Sequence, residues 1–143
     1  MRIKIISVIV LLVGVALSGF VSNNSIKQTP TTKLKAYQMV RDLTDSTFAK
    51  ETAKGVVLVD FWAVWCGPCR RQGPIIEDIA LTNTNKNVKI CKLDVDHNKI
   101  TSRKFSVSSI PTIIIFKDGK MVDQMVGLQM KQTILDVLKK HTN

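Results

Sequence analysis

The sequence predicts an α/β protein built on a central mixed β-sheet with helices on both faces, and three observations carry that prediction. Two runs, VVLVDFW at residues 56–62 and TIIIF at residues 112–116, are nearly unbroken stretches of β-branched, aliphatic and aromatic residues, the composition of strands buried on both sides. Helical patterns alternate with such runs, so the chain reads βαβαβα followed by ββα. A Lys-Asp-Gly-Lys turn at residues 117–120 marks the closing strand pair as a hairpin.

Taken in chain order, residues 1–18 read as a signal peptide or an N-terminal anchor. Arg2 and Lys4 precede an apolar run from Ile5 to Leu17, and small residues follow, the layout of a secretory signal cut after Ser18. The run also stretches to Val21, so a short retained anchor is the alternative. Either places the domain outside the cytoplasm, in the periplasm or an equivalent extracytoplasmic space. Residues 19–36, GFVSNNSIKQTPTTKLKA, are polar, aperiodic and expected to form a flexible linker.

The folded domain is expected over residues 37–143. It opens with a short strand at residues 37–40. Thr44-Asp45-Ser46 offers hydroxyl and carboxylate caps for a helix running to about Ala53, which Gly55 ends. After the strand at 56–62, Cys66-Gly67-Pro68-Cys69 opens a helix reaching about Thr82, with Pro74 predicted to kink it. A strand at 88–93, a short helix at 98–105 and the strand at 112–116 follow. The hairpin returns through residues 121–126, and an amphipathic helix at 130–141 closes the domain.

Length and composition fit one globular domain: 143 residues, 45% hydrophobic and 22% charged, enough apolar mass for a core and too little polarity for a disordered chain. The formal net charge of +10 raises the question of nucleic acid. The cations are scattered, in runs no longer than pairs such as Arg70-Arg71, without interleaved aromatics, and this excludes a nucleic-acid-binding footprint. Such a surface favours acidic partners or anionic headgroups through its long-range field.

The chemistry concentrates in one segment. Residues 59–70, VDFWAVWCGPCR, resemble the active-site segment of the thioredoxin family, and Ser109-Ile110-Pro111-Thr112 resembles that family's cis-proline loop. The likeness runs over residues 37–142 and rests on four separated features: the acid in the strand, the WCGPC core, the Ile-Pro-Thr loop and Val126-Gly127 before the last helix. A lone C-x-x-C would be weak evidence; the four together are specific.

The resemblance implies a thioredoxin fold and a dithiol centre, and the local physics agrees with it. A thiol at the first turn of a helix meets unpaired amides and the positive end of the helix dipole, both of which favour thiolate, so Cys66 is the expected nucleophile. Cys69, one turn on, is the expected resolving cysteine. Gly67-Pro68 stiffens the ring between them, and proline is tolerated where helix amides need no partner. Asp60, in an apolar strand, should have a raised pKa through desolvation. By resemblance it accepts the proton of Cys69, with Lys92 on the neighbouring strand as its partner. Trp65, Gly67, Pro68, Ile110, Pro111 and Gly127 are implied to form an apolar rim that binds an extended substrate segment, strand-like, at the residue before the cis-proline. Trp62 is assigned to the core.

The expected function is reduction of protein disulfides by dithiol–disulfide exchange, with no organic cofactor and no metal. The expected partners are disulfide-containing proteins and an electron donor, either in the membrane or similar to thioredoxin reductase, with the protein acting as a monomer. Three readings compete. A periplasmic oxidase or isomerase would run the exchange the other way, but strongly oxidising relatives typically carry His between the cysteines. A cytochrome-maturation reductant commonly has a central insertion, for which the step from Cys66 to Pro111 leaves no room. A non-catalytic thioredoxin-like binding module would dispense with Cys66 altogether.

Other constellations fail. Zinc would need four ligands from Cys66, Cys69, Cys91, His97 and His141, and there is no second C-x-x-C. Asp94-x-Asp96-x-Asn98 imitates a calcium loop, but Lys99 stands where glycine is required and Phe105 where the bidentate glutamate belongs. Cys91 is expected in the core, with a regulatory thiol as the sharper alternative, and His97 is expected in a loop.

Overall fold

The computed structural model describes residues 30–142; the segment assigned to export or anchoring, and the first part of the linker, lie outside the described residues. The elements are helix α1 (Pro30–Met39), strand β1 (Arg41–Asp42), helix α2 (Phe48–Thr52), strand β2 (Val56–Trp62), helix α3 (Gly67–Thr82), strand β3 (Val88–Asp94), helix α4 (Lys99–Lys104), strands β4 (Thr112–Lys117) and β5 (Lys120–Val126), and helix α5 (Lys131–Thr142). One five-stranded sheet has the order β1-β3-β2-β4-β5. β1 and β2 run parallel to β3, whereas β4 runs antiparallel to β2 and β5 antiparallel to β4. The predicted mixed sheet is therefore present.

Strand β2 occupies the middle because its sequence suits burial on both faces. Val57, Leu58, Val59 and Phe61 are fully buried, and each such side chain stabilises the fold by roughly 1.5–3 kcal/mol. Alternation divides them. Val56 and Leu58 join Ile76 and Ile79 of α3 and Ile134 and Leu138 of α5 on one face. Val57, Val59 and Phe61 join Phe48, Cys91, Leu93, Ile114 and Phe116 on the other. There Phe48, Phe105 and Phe116 pack as an aromatic trio with centroids 4.9–5.2 Å apart. The same alternation turns Asp60 toward α3, beside Leu58.

Two expectations are corrected. Residues 37–40 do not open the sheet: the helix α1 covers Pro30–Met39, packs against α3, and takes in the end of the stretch read as a linker. The sequence PTTKLKAYQM starts with a proline, compatible with a first helical position, and continues with good helix formers. The apolar residues near its end imitate strand alternation, and the true edge strand is the short Arg41–Asp42.

The second correction concerns Asp45, which caps a different helix from the one expected. Its carboxylate accepts from the backbone amides of Ile100 (3.2 Å) and Thr101 (2.8 Å), at the start of α4. α2 begins later, at Phe48, after a turn closed by Thr44 and Thr47.

The hairpin turn follows the sequence closely. Asp118 and Gly119 both have positive φ, 49° and 80°, as an Asp-Gly turn requires. Its Asp118 carboxylate accepts from the amide of Gly55 at 2.9 Å, which ties the turn to the end of α2. Gly55 itself has φ 75°, and a Cβ there would stand 2.7 Å from the Asn87 carbonyl oxygen, so only glycine fits. Among the described residues, no helix is long and apolar enough to cross a membrane.

Candidate active site

The chain leaves the centre of the sheet at Trp62 and enters a helix within a few residues, and this abrupt change positions both cysteines. Ala63 is buried, Val64 and Trp65 are exposed, and the Cys66 amide turns back to donate to the Ala63 carbonyl at 3.1 Å. Cys66, in extended conformation, is the N-cap of α3, with proline in the first turn. Its sulfur accepts from the Cys69 amide at 3.1 Å. A free helix amide therefore points at the Cys66 sulfur, where it favours negative charge. Cys66 and Cys69 are joined by a disulfide of 2.02 Å, and both residues are only 4% exposed.

The second wall comes from the loop ahead of β4. The Ile110–Pro111 peptide bond is cis, as the resemblance implied. The Ile110 carbonyl oxygen lies 3.7 Å from the Cys66 sulfur. Pro111 is buried and Ile110 half-buried, and the Pro111 carbonyl accepts from the Gly127 amide at 2.8 Å. Gly127 adopts φ 85°, so the loop after β5 turns tightly beside the cis-proline. Around these sulfurs stand Trp65, 65% exposed, and the exposed Pro68, with Gly67 half-buried. The predicted rim residues are thus found at the mouth of the disulfide, on three separate segments. Trp65 is held at the surface by a contact the sequence did not disclose: its indole Nε1 donates to the Asp96 carboxylate at 2.7 Å.

Asp60 sits behind the disulfide and is 4% exposed. Its Oδ1 has no hydrogen-bond partner among the described residues. Burial pushes its carboxyl up to about 7, and the positive charge of Lys92 opposes the shift without cancelling it. Lys92 faces Asp60 across the β2–β3 register, and its ammonium also lies 3.5 Å from Asp42 and 5.4 Å from the Trp62 ring centroid. A pocket of about 390 Å³ brings Asp60, Trp62, Cys69, Arg70 and Lys92 onto one lining. Trp62, expected in the core, is half-buried and belongs to this pocket, with its Nε1 also lacking a hydrogen-bond partner among the described residues. Cys69 and Asp60 thus share one cavity.

Cys91 is fully buried on the opposite face of the sheet, where burial pushes its thiol up to about 12. A thiol so protonated is a poor nucleophile, so the core reading holds. His97 is exposed and pairs with Asp94 at 3.0 Å. Among the described residues, no three His, Cys, Asp or Glu side chains are grouped to hold a metal.

Sequence reasoning also missed a polar clamp under the rim. Gln72, fully buried on α3, donates through Nε2 to the Gln129 carbonyl (3.3 Å) and accepts at Oε1 from the Gln129 amide (2.8 Å). A glutamine within a helix gives no sign that it faces inward. Only its spacing of three from Cys69 and four from Ile76, both buried, places it on that face.

A family model described as thioredoxin matches residues 39–140. The chain is 52% identical over 99 residues to a thioredoxin of Staphylococcus haemolyticus, across 69% of this chain and 94% of that protein. It is 46% identical over 103 residues to a thioredoxin of Listeria monocytogenes, across 72% and 99%. Among solved structures, the thioredoxin of Malassezia sympodialis superposes with a TM-score of 0.67 at 31% identity, covering 73% of this chain and 94% of that one. A single-residue mutant of the thioredoxin of Halobacterium salinarum does so at 0.62 and 30%, covering 72% and 90%. Fold, match and the paired cysteines at a helix start lead to one assignment: the chain belongs to the thioredoxin family, with the thioredoxin fold, and is a thiol-disulfide oxidoreductase that reduces protein disulfides.

Proposed function

We propose that Cys66 is the attacking thiolate, Cys69 the resolving thiol and Asp60 the base that takes the Cys69 proton, in a reductase working outside the cytoplasm. The observation that carries the reading is the amide of Cys69 directed at the Cys66 sulfur, with Asp60 buried on the same pocket as Cys69. The reduced enzyme attacks one sulfur of a substrate disulfide with the Cys66 thiolate. That S–S bond breaks, a mixed disulfide forms, and the departing substrate thiolate takes a proton from solvent. Cys69 then gives its proton to the Asp60 carboxylate and attacks the Cys66 sulfur. The second substrate thiolate leaves and is protonated, and the Cys66–Cys69 disulfide remains. Two electrons have passed to the substrate, and the disulfide is the oxidised state seen here.

The rim supplies the binding. A substrate segment lying extended across Trp65, Ile110 and Gly127 pairs its backbone with Ile110, next to the Cys66 sulfur. Lys92 lowers the cost of ionising Asp60 without removing it, which keeps the acid near the pH at which it must exchange a proton.

Export or tethering through residues 1–18 is supported by the paired cations and apolar run, and it requires recharging from outside the cytosolic thiol pool. We assign that task to a membrane dithiol donor, with the enzyme working as a monomer and needing no further cofactor. Carbonate extraction of membranes and protease treatment of spheroplasts or protoplasts, whose inner membrane is intact, from cells expressing the full chain test the location. The domain should be digested or released on the outer side; protection of the whole chain until lysis would contradict it.

The division of labour between the cysteines is directly testable. Cys69→Ser should accumulate a mixed disulfide between Cys66 and a protein substrate, visible as a reducible adduct, while Cys66→Ser should form none and lose essentially all insulin reduction. Adduct formation through Cys69 instead would reverse the assignment.

Asp60 predicts a pH-dependent stability. Its native value of about 7 stands above the 3.8 of an unperturbed carboxyl, so between those values the native state binds more protons than the unfolded state. Stability then falls as pH rises through that window, the full cost is present above about pH 7, and none remains below pH 3.8. At 1.36 kcal/mol per unit the cost is on the order of 4 kcal/mol. Asp60→Asn should therefore be no more stable than the parent at pH 3 and increasingly more stable toward pH 8, by denaturant unfolding. A difference that does not vary with pH would show that Asp60 ionises normally.

A further inference from the structure

Gln72 is fully buried, yet it is neither a reacting group nor part of the rim. It lies on α3 one turn after Cys69, on the buried face that also carries Ile76 and Ile79. An apolar residue would fill such a place without the cost of burying an amide. What the amide does is specific. It pairs with both backbone groups of a single residue, Gln129, accepting from its N–H at 2.8 Å and donating to its carbonyl at 3.3 Å. The Gln129 side chain then reaches back, its Nε2 donating to the carbonyls of Val126 (3.1 Å) and Gly127 (3.3 Å). Gly127 in turn donates to Pro111 at 2.8 Å. A continuous run of hydrogen bonds thus joins the helix that carries the cysteines to the far wall of the substrate rim.

We propose that Gln72 and Gln129 are positioning residues that hold the Gly127 loop at a fixed separation from Cys66, and so set the affinity for protein disulfides. The inference rests on the reading of Ile110 and Gly127 as the surface that binds an extended substrate segment. The Gly127 loop depends on such a tie. The four residues between β5 and α5, Gly127 to Met130, lie outside regular structure, and Leu128 and Met130 are exposed, 38% and 69%, so little apolar packing fixes the loop. A small disulfide touches only the sulfurs and has no use for the loop. A protein segment lies across it, and every ångström of slack is paid in ordering when the segment binds.

The test compares two substrates in two variants. Gln72→Met keeps the volume and removes both hydrogen bonds; Gln129→Ala leaves those two, which use its backbone, and removes only the strap to Val126 and Gly127. For insulin, KM should rise about five- to tenfold in Gln72→Met and about two- to threefold in Gln129→Ala, the order expected for losing hydrogen bonds that hold a binding surface. The kcat for insulin and the rate with a small aromatic disulfide should stay within about twofold, since the sulfurs keep their surroundings. A lower melting temperature with an unchanged KM would make the clamp a merely structural feature and overturn the proposal, as would equal losses on both substrates. Should Gln72→Met fail to fold, an unchanged KM in Gln129→Ala overturns it alone. If the unsubstituted protein reduces the small disulfide but not insulin, the rim reading itself fails, and the inference with it.

Discussion

Burial of β2 on both faces is the constraint on which the site depends. Because Val57, Leu58, Val59 and Phe61 are enclosed by neighbours on either side, the strand has no freedom to slide, and its register with β3 and β4 is fixed along its length. A one-residue slip would turn Asp60 to the other face and carry Cys66 away from the start of α3. The rigid strand therefore does two things at once. It delivers the Cys66 sulfur to a helix amide, and it places a carboxylate on the pocket that Cys69 lines.

That second placement works against stability, and the surroundings temper it only in part. A carboxylate without a full set of hydrogen bonds is held in the interior next to Trp62, with Lys92 as the charge that keeps it ionisable. A hydrophobic residue at position 60 would avoid the cost of burying a carboxylate and would leave the pocket that Cys69 lines without its acid. The opposite face shows the contrast. Cys91, in the same sheet and equally buried, has its thiol driven upward by the same desolvation, and it sits within strand β3 among core side chains, away from the helix start that holds Cys66. Position relative to the helix start separates the two kinds of cysteine, and residue type does not.

Much of this is legible in the sequence, for identifiable reasons. The strands at 56–62 and 112–116 announce themselves because burial on both faces demands continuous apolar runs, and the Asp-Gly turn because few residues accept two positive φ angles in succession. The cysteines, Asp60, Pro111 and Gly127 stand out because each is an odd residue type in its local context. Failures come where a residue looks ordinary. The helix at Pro30–Met39 carries no strong apolar period, and the cap at Asp45 serves α4, more than fifty positions away in sequence. Gln72 and Asp96 act through partners that only the fold brings near, so nothing in their own neighbourhoods marks them.

The account stands or falls on the direction in which this centre moves electrons. Equilibrating the domain against defined ratios of reduced and oxidised thiol buffer, and following the Cys66–Cys69 pair, gives its reduction potential. The account predicts a value near the −270 mV or so that belongs to thioredoxin itself, where the pair gives electrons to protein disulfides. A potential near about −120 mV, that of a strong disulfide-forming enzyme, would contradict it and make the pair an oxidant despite its Gly-Pro.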